Sequence, residues 1–385
     1  MGFEPARRMR RLPPQFFAGL VARANARAAA GRPVINLGQG NPDLPTPRYI
    51  VEALLAAGPD PRFHRYIGFR GLDTLKQAAA GWYRRRFGVE LDPVREVAIL
   101  IGTKVGLQEI ALTLLNPGDR AVVPDPGYPD YWSGIALAGG ELTPWRLEAA
   151  RGFVPDLAAL PAGARLVFVN SPQNPTGRLL PPAFYHGLID RARREGFAVA
   201  HDIAYADLVF HGEAVSLLAM PGGREVGVEF FTLSKSYNMA GWRIGIAAGN
   251  PDLIALLEGL QDHLHTSQFG AVQMAAAAAL NGDGQDVAAL RATYRRRMQT
   301  FVEAAAATGW TVPPSEGTFF LWAPVPPDQS AAAWADRFLE EADVVVAPGT
   351  GFGAGGEGFV RISLTAPEAD LAEAARRLGA VLQRG

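Results

Sequence analysis

Between about residues 45 and 250, short apolar, β-branched runs alternate with longer amphipathic stretches, and this alternation constrains the fold more than any other feature of the chain. Strands are expected at Glu96–Ile101, Ala121–Val123, Arg165–Asn170, Phe197–Asp202, Gly227–Thr232 and Ile244–Ala248. Helical spacing appears over Val105–Leu115, Pro182–Arg194 and Asp252–Gln261. Strands that are apolar along their whole length must be covered on both faces. The pattern therefore predicts an α/β fold with a mostly parallel sheet and helices on both sides. After about residue 285 the character changes. A long helix at Val287–Ala307 leads to short strands at Thr311–Val312, Thr318–Trp322, Val344–Val346 and Phe359–Ser363, with helices near Ala331–Glu340 and after Pro367. Three parts are expected: an arm and connector over 1–47, a large domain over 48–285, and a smaller α+β domain over 286–385.

Charge and composition exclude several classes of function. The 385 residues carry 37 Lys+Arg against 38 Asp+Glu, so no basic excess attracts a phosphodiester backbone. The absence of cysteine removes disulfides, thiolate metal sites and cysteine nucleophiles together. Met1 to Leu20 holds arginines but no apolar core of signal-peptide length, and no run is long enough to span a bilayer. A soluble, cytoplasmic, multidomain globular protein is expected. Of the basic residues only Lys76, Lys104 and Lys235 are lysine. A lysine kept in so arginine-rich a chain is a candidate for amine chemistry, which a permanently protonated guanidinium cannot supply.

Five segments hold candidate chemistry, each just past a strand. In TLSKSYNMAGWRIG, Lys235 follows a strand end, where ligands of open α/β sheets bind. Thr232, Ser234 and Arg243 around it offer two hydroxyls and a cation to a phosphate. In NSPQNPTG the prolines stiffen the turn and aim the Asn174 amide. In HDIAYADL, Asp202 closes a buried strand and needs a partner, with Tyr205 three residues on. Gly102-Thr103-Lys104 opens a helix whose free amides suit an anion. In DPGYPDYW, prolines hold Tyr128 as a stacking platform. Each motif alone also fits ordinary turn or core packing.

Two patterns mislead. Gly351-Phe352-Gly353-Ala354-Gly355-Gly356 matches G-x-G-x-x-G, but it leads into the strand FVRIS, so a dinucleotide would lack its helix terminus. His263 and His265 stand at i,i+2, which on a helix faces them apart; no metal site is expected.

Taken in order, from INLGQGNPDLPTP through IGTKVGL, DPGYPDYW, NSPQNPTG, HDIAYADL and TLSKSYNMAGWRIG to FVRIS, the motifs resemble those of the fold-type-I pyridoxal-phosphate-dependent aminotransferases of class I/II. The similarity is greatest to the branch containing LL-diaminopimelate and methionine-salvage aminotransferases. The resemblance implies pyridoxal 5′-phosphate as cofactor and ping-pong transfer of an amino group between an L-amino acid and a 2-oxo acid. Lys235 then matches the Schiff-base lysine and proton shuttle, and Asp202 the partner of the pyridine nitrogen. Asn174 and Tyr205 match the pair facing the ring's phenolic oxygen, and Tyr128 the stacking aromatic. Thr103, Lys104, Thr232, Ser234 and Arg243 fall at phosphate-binding positions. Tyr66 resembles a tyrosine reaching the phosphate from a partner subunit, implying a homodimer with shared sites. Arg361 matches the arginine that grips the substrate carboxylate, and Gly40 lies in the loop closing over it. Thr232 stands where many members have serine.

Two other functions share this scaffold. A carbon–sulfur β-lyase uses the same motifs, since the fate of the Cα bonds depends on their orientation to the ring. A regulator with an aminotransferase-like domain would need a DNA-binding module in front, and the match begins near residue 35. Phe16, Phe17 and Trp132 are candidates to line a pocket for apolar or thioether side chains, with core packing as the alternative.

Overall fold

The computed structural model describes residues 2–13 and 16–384, with the side chains of 16–18 outside that set. A seven-stranded sheet forms the centre: β1 (Val97–Leu100), β2 (Arg120–Asp125), β3 (Glu141–Arg146), β4 (Ala164–Asn170), β5 (Ala198–Asp202), β6 (Gly227–Thr232) and β7 (Gly245–Gly249). Their order is β1-β7-β6-β5-β4-β2-β3. The neighbours from β6 to β3 run parallel, whereas β7 is antiparallel to both β6 and β1. β1 and β4 to β6 are buried almost throughout, as their uninterrupted apolar runs require. Helices cover both faces: Leu107, Ile110 and Tyr131 pack with Phe168 and Phe230 on one side, and Phe184, Leu188 and Ile189 pack with Val167 and Val199 on the other.

A second sheet of three strands has the order β9-β10-β8, with β8 at Phe320–Pro324, β9 at Ala347–Pro348 and β10 at Phe359–Ser363. Helices Gln285–Ala306, Ala331–Ala342 and Glu368–Leu382 surround it. The connector belongs to this sheet's neighbourhood. Ile35–Asn36 pair in parallel with Val344–Val345, and the Ser363 N–H donates to Leu37 O at 2.8 Å.

Three expectations need correction. Thr311–Val312 is not a strand, although Val312 is buried; Pro313 and Pro314 follow it and remove the donors a ladder needs. The strand expected over Thr318–Trp322 starts only at Phe320. β3, with its mixed polarity and Pro144, was not anticipated. It is an edge strand, mostly solvent-facing, where a proline is tolerated.

Candidate active site

Parallel strands point their carboxyl ends the same way, so β2, β4, β5 and β6 deliver Asp125, Asn170, Asp202 and Thr232 to one edge of the sheet. A cavity of about 380 Å³ opens there. Its lining includes Gly40, Thr103, Lys104, Tyr128, Asn174, Asp202, Tyr205, Thr232, Ser234, Lys235, Arg243 and Arg361, which is every anticipated site residue but Tyr66. Tyr66 instead stands 89 % exposed beside a separate groove lined by His64, Gly68 and Phe269.

Lys235 lies in a single helical turn, Leu233–Ser236, capped by the Thr232 hydroxyl, which accepts from Ser234 N at 3.2 Å. Its Nζ donates to Gly40 O at 3.1 Å and lies 5.3 Å from the Phe319 ring centre. Burial, reinforced by the positive Arg361 and Arg243, lowers its pKa from the ordinary 10.5 to about 8, against the pull of Asp202. The Lys235 amine thus loses its proton far more readily than an exposed lysine does.

Asp202 is buried at the cavity floor. Its Oδ2 accepts from the Tyr131 hydroxyl at 2.8 Å and its Oδ1 from Ala204 N at 3.1 Å. Burial raises its pKa, opposed by these two hydrogen bonds and by the charges of His201 and Lys235. A cation brought against it would oppose that rise and favour the ionised form. Register explains the neighbouring loop: Asn170 pairs with Asp202 across β4 and β5, donates through Nδ2 to Asp202 O at 2.8 Å, and accepts from Asn174 N at 2.7 Å. The turn carrying Asn174 is therefore tied to the strand carrying Asp202.

Arg361 comes from β10, outside the main sheet, yet is only 2 % exposed. Its guanidinium carbon lies 3.9 Å from the Phe320 ring centre and 4.6 Å from that of Phe352. Nη1 donates to Asn174 Oδ1 at 2.9 Å and Nη2 to Gly38 O at 3.0 Å. Aromatic faces and the neutral acceptors Asn174 and Gly38 hold the fork in place. Thr103 opens the helix Thr103–Leu114; Val105 N and Gly106 N donate back to Gly102 O at 3.1 and 3.4 Å, while the amides of Thr103 and Lys104 precede the first helical hydrogen bond. Gly102 has φ 77°, a conformation that side-chain-bearing residues rarely adopt, and a Cβ there would also displace the Arg243 guanidinium. Arg243 itself has φ 55°, an uncommon conformation for a side-chain-bearing residue, and its carbonyl accepts from Gln268 Nε2 at 2.9 Å.

These features identify the family when set beside known proteins. The profile of aminotransferase class I and II matches residues 32–378. The chain belongs to the class I and II aminotransferases. It is 46 % identical over 384 residues to the L-glutamine–4-(methylsulfanyl)-2-oxobutanoate aminotransferase of Bacillus subtilis, covering 98 % of this chain and 96 % of the relative. It is 45 % identical to the LL-diaminopimelate aminotransferase of Desulforudis audaxviator, covering 100 % and 99 %. Substrate-bound BacF from Bacillus subtilis superposes with a TM-score of 0.95 at 39 % identity, covering 99 % of this chain and 98 % of that one. The anticipated branch and α/β fold hold, and the enzyme is a pyridoxal-phosphate-dependent aminotransferase. These relatives give the β-lyase alternative no support.

The aminotransferase's own residues fit that cofactor. The cavity sets an amine of lowered pKa, a buried carboxylate, an aromatic wall at Tyr128, and a helix start with hydroxyls and Arg243 around one space. Lys104 sits differently from expectation, since its Nζ pairs with Asp130 at 2.8 Å; only its first-turn position speaks for an anion. Trp132 faces a separate apolar cavity with Arg11 and Pro13 and does not line the site. Phe16 and Phe17 have side chains outside the described residues. His265 stands just past the helix Pro251–Leu264, not on it as expected, and pairs with Glu109 at 2.8 Å, whereas His263 is exposed in the last turn. Sequence reading missed Tyr131, although it lies in DPGYPDYW one helical turn past Tyr128, and missed Phe320 and Phe352, which only the second sheet brings near.

Proposed function

We propose that Lys235 anchors the cofactor covalently and carries the proton in amino transfer between an L-amino acid and a 2-oxo acid. Pyridoxal phosphate, when bound, supplies an aldehyde that takes up the amino group and a ring that accepts electrons from Cα. Asp202 holds the ring nitrogen's proton, and Tyr131 and Ala204 N orient that carboxylate. Asn174 and Tyr205 face the phenolic oxygen, and Tyr128 stacks on the ring. Thr103, Thr232, Ser234, Arg243 and the first-turn amide of Lys104 receive the phosphate. Arg361 binds the substrate α-carboxylate as a planar fork, and Gly40 closes the loop above it. Lys235 would take the substrate's Cα proton and redeliver it, a role typically contributing about 10²–10⁴-fold. The observation that carries this reading is the buried Lys235 amine, its pKa lowered to about 8, in one cavity with Asp202 and Arg361.

Three coarser features belong to the same proposal. The division into 1–47, 48–285 and 286–385 is supported by the two separate sheets and by the connector's pairing with Val344–Val345. A homodimer in which Tyr66 completes the partner's phosphate site is supported by its exposure next to exposed Phe69 and Phe269. A cytoplasmic location accords with amino- and oxo-acid substrates and with the absence of cysteine. Among the described residues no helix is long and apolar enough to cross a membrane.

The test is borohydride reduction of the cofactor-loaded protein followed by peptide mapping, with a donor panel of L-glutamine, L-methionine, L-glutamate and LL-diaminopimelate against 2-oxo acids. A reduced adduct on Lys235 and ping-pong transfer are expected. An adduct elsewhere, or release of ammonia and an oxo acid without transfer, would overturn the reading.

A further inference from the structure

The Gly351–Gly356 segment that imitates a dinucleotide fingerprint has a different task. It crosses from the second sheet to the end of β2 and lies on the turn that carries Tyr128. Gly355 N donates to Asp125 Oδ1 at 2.7 Å, and Gly127 N donates to Phe352 O at 2.8 Å. Asp125 is 7 % exposed, with Arg146 Nη1 at 3.3 Å from its Oδ2 and its own carbonyl accepting from Leu147 N at 2.8 Å. The glycines are sterically required here. A Cβ on Gly353 would collide with Asp125 Oδ1, and one on Gly355 with the Asp125 carbonyl. Gly353 also has φ 118°, which side-chain-bearing residues rarely adopt.

The two ends of this contact matter because of what they carry. Phe352 is the aromatic face 4.6 Å from the Arg361 guanidinium, and Gly127 immediately precedes Tyr128. One main-chain hydrogen bond and one carboxylate therefore join the carboxylate-gripping arginine to the stacking ring, although these come from different sheets. We infer that Asp125 is a positioning residue that clasps the Gly351–Gly356 strap to the Tyr128 turn and so sets the spacing between the substrate-binding fork and the cofactor platform. The inference rests on the roles proposed above for Arg361 and Tyr128. Without the clasp, Arg361 is less often at the distance a bound amino acid needs, while the cofactor's attachments to Lys235 and Asp202 are untouched.

The experiment compares Asp125→Ala, Asp125→Asn and Gly355→Ala in the full-length, cofactor-loaded enzyme. Hydrogen exchange is read over residues 126–132 and 350–358, and the half-saturating donor concentration is read in single turnover with the best donor of the panel. Asp125→Ala and Gly355→Ala are expected to speed exchange in both segments and to raise the half-saturating concentration about tenfold, the scale of one charge-assisted hydrogen bond. The limiting rate and the visible absorption of the loaded enzyme stay within about twofold. Asp125→Asn, which keeps an acceptor for Gly355 N, restores most of the affinity. Unchanged exchange in both segments, or unchanged half-saturation with faster exchange, overturns the inference; so does an altered cofactor spectrum of the same size. If Asp125→Ala does not fold, Gly355→Ala carries the same two readouts. A wild-type enzyme with no donor in the panel counts against the transfer reading alone, and the exchange data still decide for or against the clasp.

Discussion

Tyr131→Phe isolates one contact of the proposed ring-nitrogen site. The substitution deletes the hydroxyl that donates to Asp202 Oδ2 at 2.8 Å and little else. The aromatic ring stays in place because it stacks on Phe168 at 4.8 Å with a 15° interplanar angle. A hydrogen bond to a charged group contributes about 1.5–3 kcal/mol. Here the acceptor is buried, and burial already disfavours its ionised form, so the effect is not diluted by solvent. If the full amount were lost from the step that needs Asp202 ionised, removal of the Cα proton would slow by about 10–100-fold. With Ala204 N still donating to Oδ1 at 3.1 Å, the expected loss lies near the lower end. The assay is stopped-flow absorbance of a single half-reaction, run across pH with donor saturating. Tyr185→Phe is the control. Its hydroxyl lies 3.1 Å from His201 Nε2, one residue away in sequence but on the other face of β5, and its loss should change the rate less than twofold. A Tyr131→Phe rate within twofold of wild type at every pH, or equal losses in both variants, would refute the reasoning.

The Lys235 amine should make cofactor capture pH-dependent. With a folded pKa of about 8, the reactive neutral form grows as pH rises from 7 and levels off about a unit above 8, so the rate of reconstitution of cofactor-free protein should follow that curve; a rate still climbing toward pH 10.5 would contradict it. The same lowering costs the cofactor-free fold stability below pH 8 and is relieved as pH rises from about 8 to 10.5, where the unfolded chain binds the extra proton. Lys235→Met should abolish that rise in chemical-denaturation midpoints as well as covalent loading. Arg361→Lys keeps a charge but not the fork that contacts Asn174 and Gly38. Its half-saturating donor concentration should rise about 10–100-fold, on the scale of a lost charge-assisted hydrogen bond, with the visible spectrum retained; unchanged affinity would remove Arg361 from substrate binding.

The layered α/β architecture, and the gathering of the candidate site residues at one end of the sheet, follow from the order of residues alone. Strand periodicity is local, and a residue at the carboxyl end of a parallel strand is delivered to the same edge wherever the strand lies in the sheet. Lys235, Asp202 and Asn174 were legible for that reason. What the tertiary structure decided depends on which distant segments meet. Tyr131 reaches Asp202 only because its helix packs over β4 and β5. Arg361 is cradled by Phe320 of β8 and by Phe352, just past β9, only because the three-stranded sheet brings these segments together. Lys104 is drawn to Asp130, and the glycine-rich segment becomes a strap on Asp125 instead of a phosphate loop. Such contacts join residues tens to hundreds of positions apart, and no local spacing encodes them; they exist once burial of the apolar faces has fixed the packing of helices and sheets.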